Sequence, residues 1–130
     1  MSLENLENSL KKLEKLRASS KGQITNALAD VLNDVGVCYQ EQCEFEKSLQ
    51  HQYESLAMRR EIYKDDQNQH CVAETLNNIA VTYSKMNDLN NALKYHKKTL
   101  LMRKSLIKGM HPYIATTLSN IGVIYDKMSN

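Results

Sequence analysis

ADVLNDVGVCY (29–39), AETLNNIAVTY (73–83) and ATTLSNIGVIY (115–125) align without a gap, and their first residues, Ala29, Ala73 and Ala115, stand 44 and 42 residues apart. Apolar or small residues recur at the first, fourth, seventh, eighth and eleventh places of each stretch. Steps of three and four keep those side chains on one stripe of a helix, so each stretch reads as one amphipathic helix. The eighth place is small each time: Gly36, Ala80 and Gly122. Glycine inside a helix costs about 1 kcal/mol relative to alanine, so its use in mid-stripe points to close approach of a partner helix as the compensation.

A second kind of segment alternates with the first. SLQHQYESLAMRREI from Ser48 and ALKYHKKTLLMRKSL from Ala92 are again 44 residues apart and share leucine second, leucine ninth and then Met-Arg. In the second copy Ala92, Leu93, His96, Leu100 and Leu106 form the apolar stripe, and Lys94, Lys97, Lys98, Arg103 and Lys104 its wet face. Polar turns around 41–44 and 87–90 are too short for anything but antiparallel neighbours, so each pair is a helical hairpin. Longer links at 64–69 and 108–111 separate the hairpins, the second with Gly109 and His111-Pro112 as stop and start signals.

The frame extends in both directions. Leu3, Leu6, Leu10, Leu13 and Leu16 form a stripe, and Arg17 precedes Ala29 by as many residues as Arg103 precedes Ala115, so 3–20 reads as the second helix of a truncated repeat. Residues 24–68 and 70–110 are then two full repeats, and 112–130 the first helix of another truncated one. The expectation is an all-α chain of about six helices in a right-handed superhelical solenoid, one array over 1–130. Composition agrees: 42% apolar and 25% charged residues, four glycines and one proline favour folded helices over disorder or short strands.

The pattern of leucine, then Ile or Val, a small residue and tyrosine, followed nine residues later by Ser48 or Ala92, resembles the tetratricopeptide (TPR) repeat. With HPYIATTLSNIGVIY and ALKYHKKTLLMRKSL in it, the longer period resembles the kinesin light chain and nephrocystin repeat subtype. That resemblance implies a non-enzymatic scaffold that holds a partner peptide in a concave groove lined by the first helix of each hairpin. The implied groove positions are Asp30, Asn33, Asp34, Val37, Gln40 and Glu41; Glu74, Asn77, Asn78, Val81, Ser84 and Lys85; and Thr116, Ser119, Asn120, Val123, Asp126 and Lys127. Side-chain amides could clamp a peptide backbone through donor and acceptor together, and the valines would form an apolar floor. An alternative is a structural or regulatory arm of a larger adaptor, NTPase or transferase, with no peptide ligand of its own.

Charge narrows the partner. Only Lys85 and Lys127 could meet a carboxylate in the implied groove, while Asp30, Asp34 and Glu41 make its first part acidic, so a neutral or basic segment is expected. The formal charge of +2 arises from 17 basic and 15 acidic interspersed residues, which points to neither nucleic acid nor membrane as partner. Cys38, Cys43 and Cys71 are odd in number and form no C-x-x-C pair, which suits free thiols and the cytoplasm. No metal-binding spacing, activated nucleophile or phosphate-cradling glycine loop is present, so no cofactor is expected. Apolar repeat ends without a polar cap suggest self-association.

Overall fold

A computed structural model describes residues 2–65, 69–109 and 111–129. Among them the chain is all-α, as expected: α1 (Ser2–Ser20), α2 (Asn26–Glu41), α3 (Phe45–Ile62), α4 (His70–Lys85), α5 (Leu89–Leu106) and α6 (Pro112–Met128). Residues 1–65, with α1 to α3, and residues 66–130, with α4 to α6, form two compact units. In the first unit α2 packs on α3 and α1 on α2; in the second, α4 packs on α5 and α5 on α6. The C-terminal limits read for the two full repeats, 68 and 110, fall on residues outside those described, as do 66 and 67.

Local chemistry sets the helix ends. Thr25 accepts from the Leu28 N–H at 3.1 Å, Asp88 from the Asn91 N–H at 3.3 Å, and the His111 ring nitrogen from the Tyr113 N–H at 3.2 Å, each filling a donor that a helix start leaves open. Pro112 follows His111 in the first turn, where its missing N–H costs nothing.

The two hairpin turns are copies of one another. Cys43 and Asn87, 44 residues apart, are both left-handed, with φ of 60° and 62°. Their N–H groups donate to Gln40 O and Ser84 O at 3.0 Å, and the next N–H groups, of Glu44 and Asp88, donate to Tyr39 O and Tyr83 O at 2.9 Å. This pair of bonds closes a helix C-terminus on a left-handed residue, a place that suits glycine or asparagine. Cys43 carries a strain that Asn87 carries less of. Cys43→Gly should therefore raise stability by about 1 kcal/mol, seen as a higher urea midpoint with an unchanged slope.

The repeated stripe forms the core. In the first unit Leu6 and Leu13 of α1 meet Leu28, Val31, Leu32, Val35 and Cys38 of α2. In the second, Val72, Leu76 and Ile79 of α4, Ala92 of α5, and Ile114 and Ile124 of α6 are buried. Buried hydroxyls are satisfied locally: Thr75, Thr82, Thr99 and Thr117 each donate to the carbonyl four residues earlier, at 2.8–3.2 Å. Two serines of α3 reach across instead, Ser48 to Gly36 O at 2.6 Å and Ser55 to Ala29 O at 2.7 Å.

The eighth place of the stripe behaves as expected in two copies and differently in the third. At Gly36 a Cβ would lie 2.5 Å from Gln52 Cγ and 3.2 Å from Ser48 O, so the helices touch through the missing side chain. Ala80 is fully buried. At Gly122 nothing lies within 4 Å of a Cβ, which corrects the expectation of close approach there. The cause is plain in the neighbours: α2 is covered on this face by α3 and α4 by α5, whereas among the described residues no helix covers it on α6 and the Lys97 ammonium lies over its Tyr125 ring. Leu118 and Tyr125 of that face are 40% and 48% exposed, while Leu32 and Leu76 in the matching place are sealed.

Candidate functional site

Three arginines tie helices together, α1 to α3 through Arg17, α3 to α2 through Arg59 and α5 to α6 through Arg103. Arg17 forms a two-pronged pair with Glu54, both N···O distances 2.9 Å, and Arg59 reaches Asp30 at 2.8 Å. Arg103 holds the same repeat place as Arg17 but donates to Thr117 Oγ1 at 2.6 Å and Tyr113 O at 3.2 Å, with its guanidinium over the Tyr113 ring. In the frame of Arg17 the places of Thr117 and Tyr113 are held by Val31 and Ala27, which offer no side-chain acceptor, so Arg17 turns to a carboxylate.

The expected positions divide by exposure. On α2, Asn33 and Gln40 are buried, with 4% and 6% of their surface exposed, and present little to a ligand. Val37 is half-buried; Asp30, Asp34 and Glu41 are exposed. On α4, Asn77, Asn78, Val81 and Ser84 are half-buried and Glu74 and Lys85 exposed. On α6, Asn120 is half-buried and Thr116, Ser119, Val123, Asp126 and Lys127 are exposed.

Five of these residues come together. Val81, Ser84 and Lys85 of α4 and Asn120 and Val123 of α6 line a recess of about 210 Å³, completed by Ile124 and by His96 of α5. Valines and isoleucine make an apolar wall, with one ammonium, one hydroxyl and one amide around it. His96 was not among the groove positions read from the repeat, because it belongs to the apolar stripe of the second helix. Its ring is 2% exposed, and its Nδ1 is buried without a hydrogen-bond partner among the described residues. Burial, and then the nearby Arg103 charge, push its pKa down to about 4, so the imidazole is neutral at physiological pH. A signal for it does exist in the sequence, since a histidine at the place of Gln52 puts a polar group inside the hairpin.

Glu74 lies elsewhere, lining a second recess of about 430 Å³ with His70, Cys71, Arg103 and Tyr113. Burial lowers the Arg103 pKa, opposed by the Tyr113 hydroxyl and the Glu74 carboxylate. Among the described residues no three His, Cys, Asp or Glu side chains are grouped as metal ligands. No described helix is long and apolar enough to cross a membrane.

A family model described as tetratricopeptide repeat matches residues 27–105 and again 71–130. No curated protein matches the chain. Among solved structures, that of BtubC (BKLC) from P. vanneervenii is similar over 88% of this chain, with a TM-score of 0.78 and 23% identity. The chain spans 45% of that protein's length, so the likeness speaks for the fold of the shared part.

Proposed function

The chain belongs to the tetratricopeptide repeat family, and from that premise we propose that the recess between α4 and α6 receives a side chain of a partner peptide lying along the exposed faces of those helices. The coarse function is that of a non-enzymatic protein–protein interaction module. The observation that supports the finer reading is the convergence of Val81, Ser84, Lys85, Asn120 and Val123 on one recess whose lining includes the buried His96, its Nδ1 without a hydrogen-bond partner among the described residues. Apolar walls with a few polar groups are what a peptide side chain needs for burial and orientation. The ammonium of Lys85 disfavours a cation in the recess itself, and the apolar wall of Val81, Val123 and Ile124 disfavours burying a carboxylate, so a neutral inserted side chain fits best. Asp34 and Glu41, exposed on α2, favour a neutral or basic segment overall; Asp30 adds less, being held by Arg59. The 44-residue period that crosses both units supports one array over 1–130, of the long-repeat kinesin light chain and nephrocystin subtype. The odd number of thiols supports a reducing, cytoplasmic setting.

Titration of the isotope-labelled chain with neutral, basic and acidic peptide pools tests this reading. Shifts of the α4 and α6 amides should saturate with the neutral or basic pool, and Val81→Ala and Asn120→Ala should each weaken that binding about five- to tenfold. Acidic peptides displacing the others at those same amides would sink the charge preference. Saturable binding that leaves both helices unshifted would sink the recess.

A second reading has its own support. The bare face of α6, with Leu118, Gly122 and Tyr125, is the face that α3 covers on α2 and α5 covers on α4. Helix α1 stands in the repeat frame of α3 and α5, so we infer that α1 of a second copy seats there. Light scattering over a concentration series should show reversible growth in mass, abolished by Leu118→Lys with Tyr125→Lys. A strictly monomeric wild-type chain at high concentration would refute it.

A further inference from the structure

The outward face of α5 differs from that of α3 in a way that packing does not require. Lys94, Lys97, Lys98, Leu101 and Lys104 fall on one stripe about 15 Å long, at helical spacing of three and four. The matching residues of α3 are Gln50, Tyr53, Glu54, Ala57 and Arg60, a mixed surface with a small residue at its centre. Helix α5 contains no acidic residue, and none of the four lysines has a carboxylate partner among the described residues. Residues 66–130 as a whole hold eight Lys and Arg against four Asp and Glu, whereas residues 1–65 hold nine against eleven. The charge is thus gathered in the second unit.

Two further features separate this stripe from an ordinary wet face. Leu101, in its middle, is 71% exposed, the most exposed of the large apolar side chains described. The ammoniums around it are steadied by aromatic rings: Lys94 and Lys98 lie 5.5 Å and 5.1 Å from the centre of the Tyr95 ring, and Lys97 lies 5.4 Å from that of Tyr125. A cationic row that is held in place before a bare leucine and continues beyond it at Lys104 is complementary to an acidic amphipathic helix with an apolar residue at its centre.

We infer that the Lys94–Lys104 stripe of α5 is a second docking surface, distinct from the α4/α6 recess, for an acidic helical segment of a partner protein that buries an apolar side chain on Leu101. One leucine is too little apolar surface to insert into a lipid bilayer, and a phosphodiester backbone would gain nothing from it. The dependence on Leu101 therefore identifies the partner class.

The probe is a fluorescein-labelled synthetic helix of 18 residues, rich in glutamate, with leucine at its centre, titrated into the full chain at low and at physiological salt. Anisotropy should report saturable binding that weakens with salt. Lys97→Glu with Lys98→Glu should weaken it more than tenfold, and Leu101→Ala about fivefold with every charge intact. Asn120→Ala, in the recess, should leave this binding unchanged, which separates failure here from failure of the recess. All the substituted α5 residues are exposed, and unchanged thermal midpoints would show the variants folded. Binding indifferent to Leu101→Ala would overturn the inference. So would equal, Leu101-independent binding of a single-stranded oligonucleotide or of phosphatidylserine vesicles, and either result would make the stripe a plain cationic surface.

Discussion

Taking the chain from pH 7 to pH 4 is expected to remove about 3 kcal/mol of stability through His96 alone. The ring is sealed inside the second unit and held neutral, with a folded pKa of about 4 against 6.5 for an unhindered imidazole. In the window between those values the unfolded chain binds a proton that the folded chain refuses. The stabilisation is therefore complete above about pH 6.5, falls as the pH drops through that window, and is gone near pH 4. The first unit supplies the control, because the same repeat place there is filled by Gln52, fully buried and uncharged at every pH. His96→Gln should flatten the acid limb of a plot of unfolding free energy against pH, whatever it costs at neutrality. Since His51, His70 and His111 are common to both proteins, the difference between the two curves isolates His96. Parallel curves would show that water reaches the ring in the folded state.

Gly36→Val is expected to destabilise the chain by about 3 kcal/mol, while Gly122→Ala should stabilise it by about 0.5–1 kcal/mol. Both glycines stand in mid-helix at the same repeat place, so helix propensity favours replacing either one, by alanine more than by valine. The neighbours decide the sign. A Cβ at Gly36 meets Gln52 Cγ and the Ser48 carbonyl, the second of which is backbone and moves only if α3 moves. Valine adds two methyl groups to that crowding and pushes the hairpin apart. At Gly122 a Cβ meets nothing, and alanine simply removes freedom from the unfolded chain. Urea unfolding of both variants gives the comparison directly. Equal and opposite signs to those expected would mean that α3 does not seat on α2 at this register.

The same pair of residues shows how far sequence carries. Helix positions, the two copied turns at Cys43 and Asn87, and the core stripe of Leu32, Val35, Leu76 and Ile79 all follow from a period within one chain segment. Gly36 and Gly122 are identical in that pattern and opposite in their surroundings, because contact depends on which helix lies over a face. Asn33 and Asn77 are another such pair, one 4% exposed and the other half-buried. Repeat spacing puts Val81 and Lys85 on one first helix and Asn120 and Val123 on the next, without saying that they share a recess. His96 was hidden more deeply, since a histidine on an apolar stripe reads as core and becomes a site feature only when α4 and α6 leave a gap above it.

The serine contacts of the first hairpin bear on how the two units would respond to load. Ser48 and Ser55 are seven residues apart on α3, and their acceptors, at Gly36 and Ala29, are seven apart on α2 in the reverse direction. Two pins about 10 Å apart lock the helices against shear, because a slip of one residue, about 1.5 Å, breaks both together. The matching places in the second hairpin are Ala92, which has no hydroxyl, and Thr99, whose hydroxyl is spent on Tyr95 of its own helix. Pulled along its length, α2/α3 would yield in one step, when both pins break together, whereas the stacked rings of Tyr83 on α4 and Tyr95 on α5, 5.7 Å between centres, are a contact that weakens gradually as the helices slip.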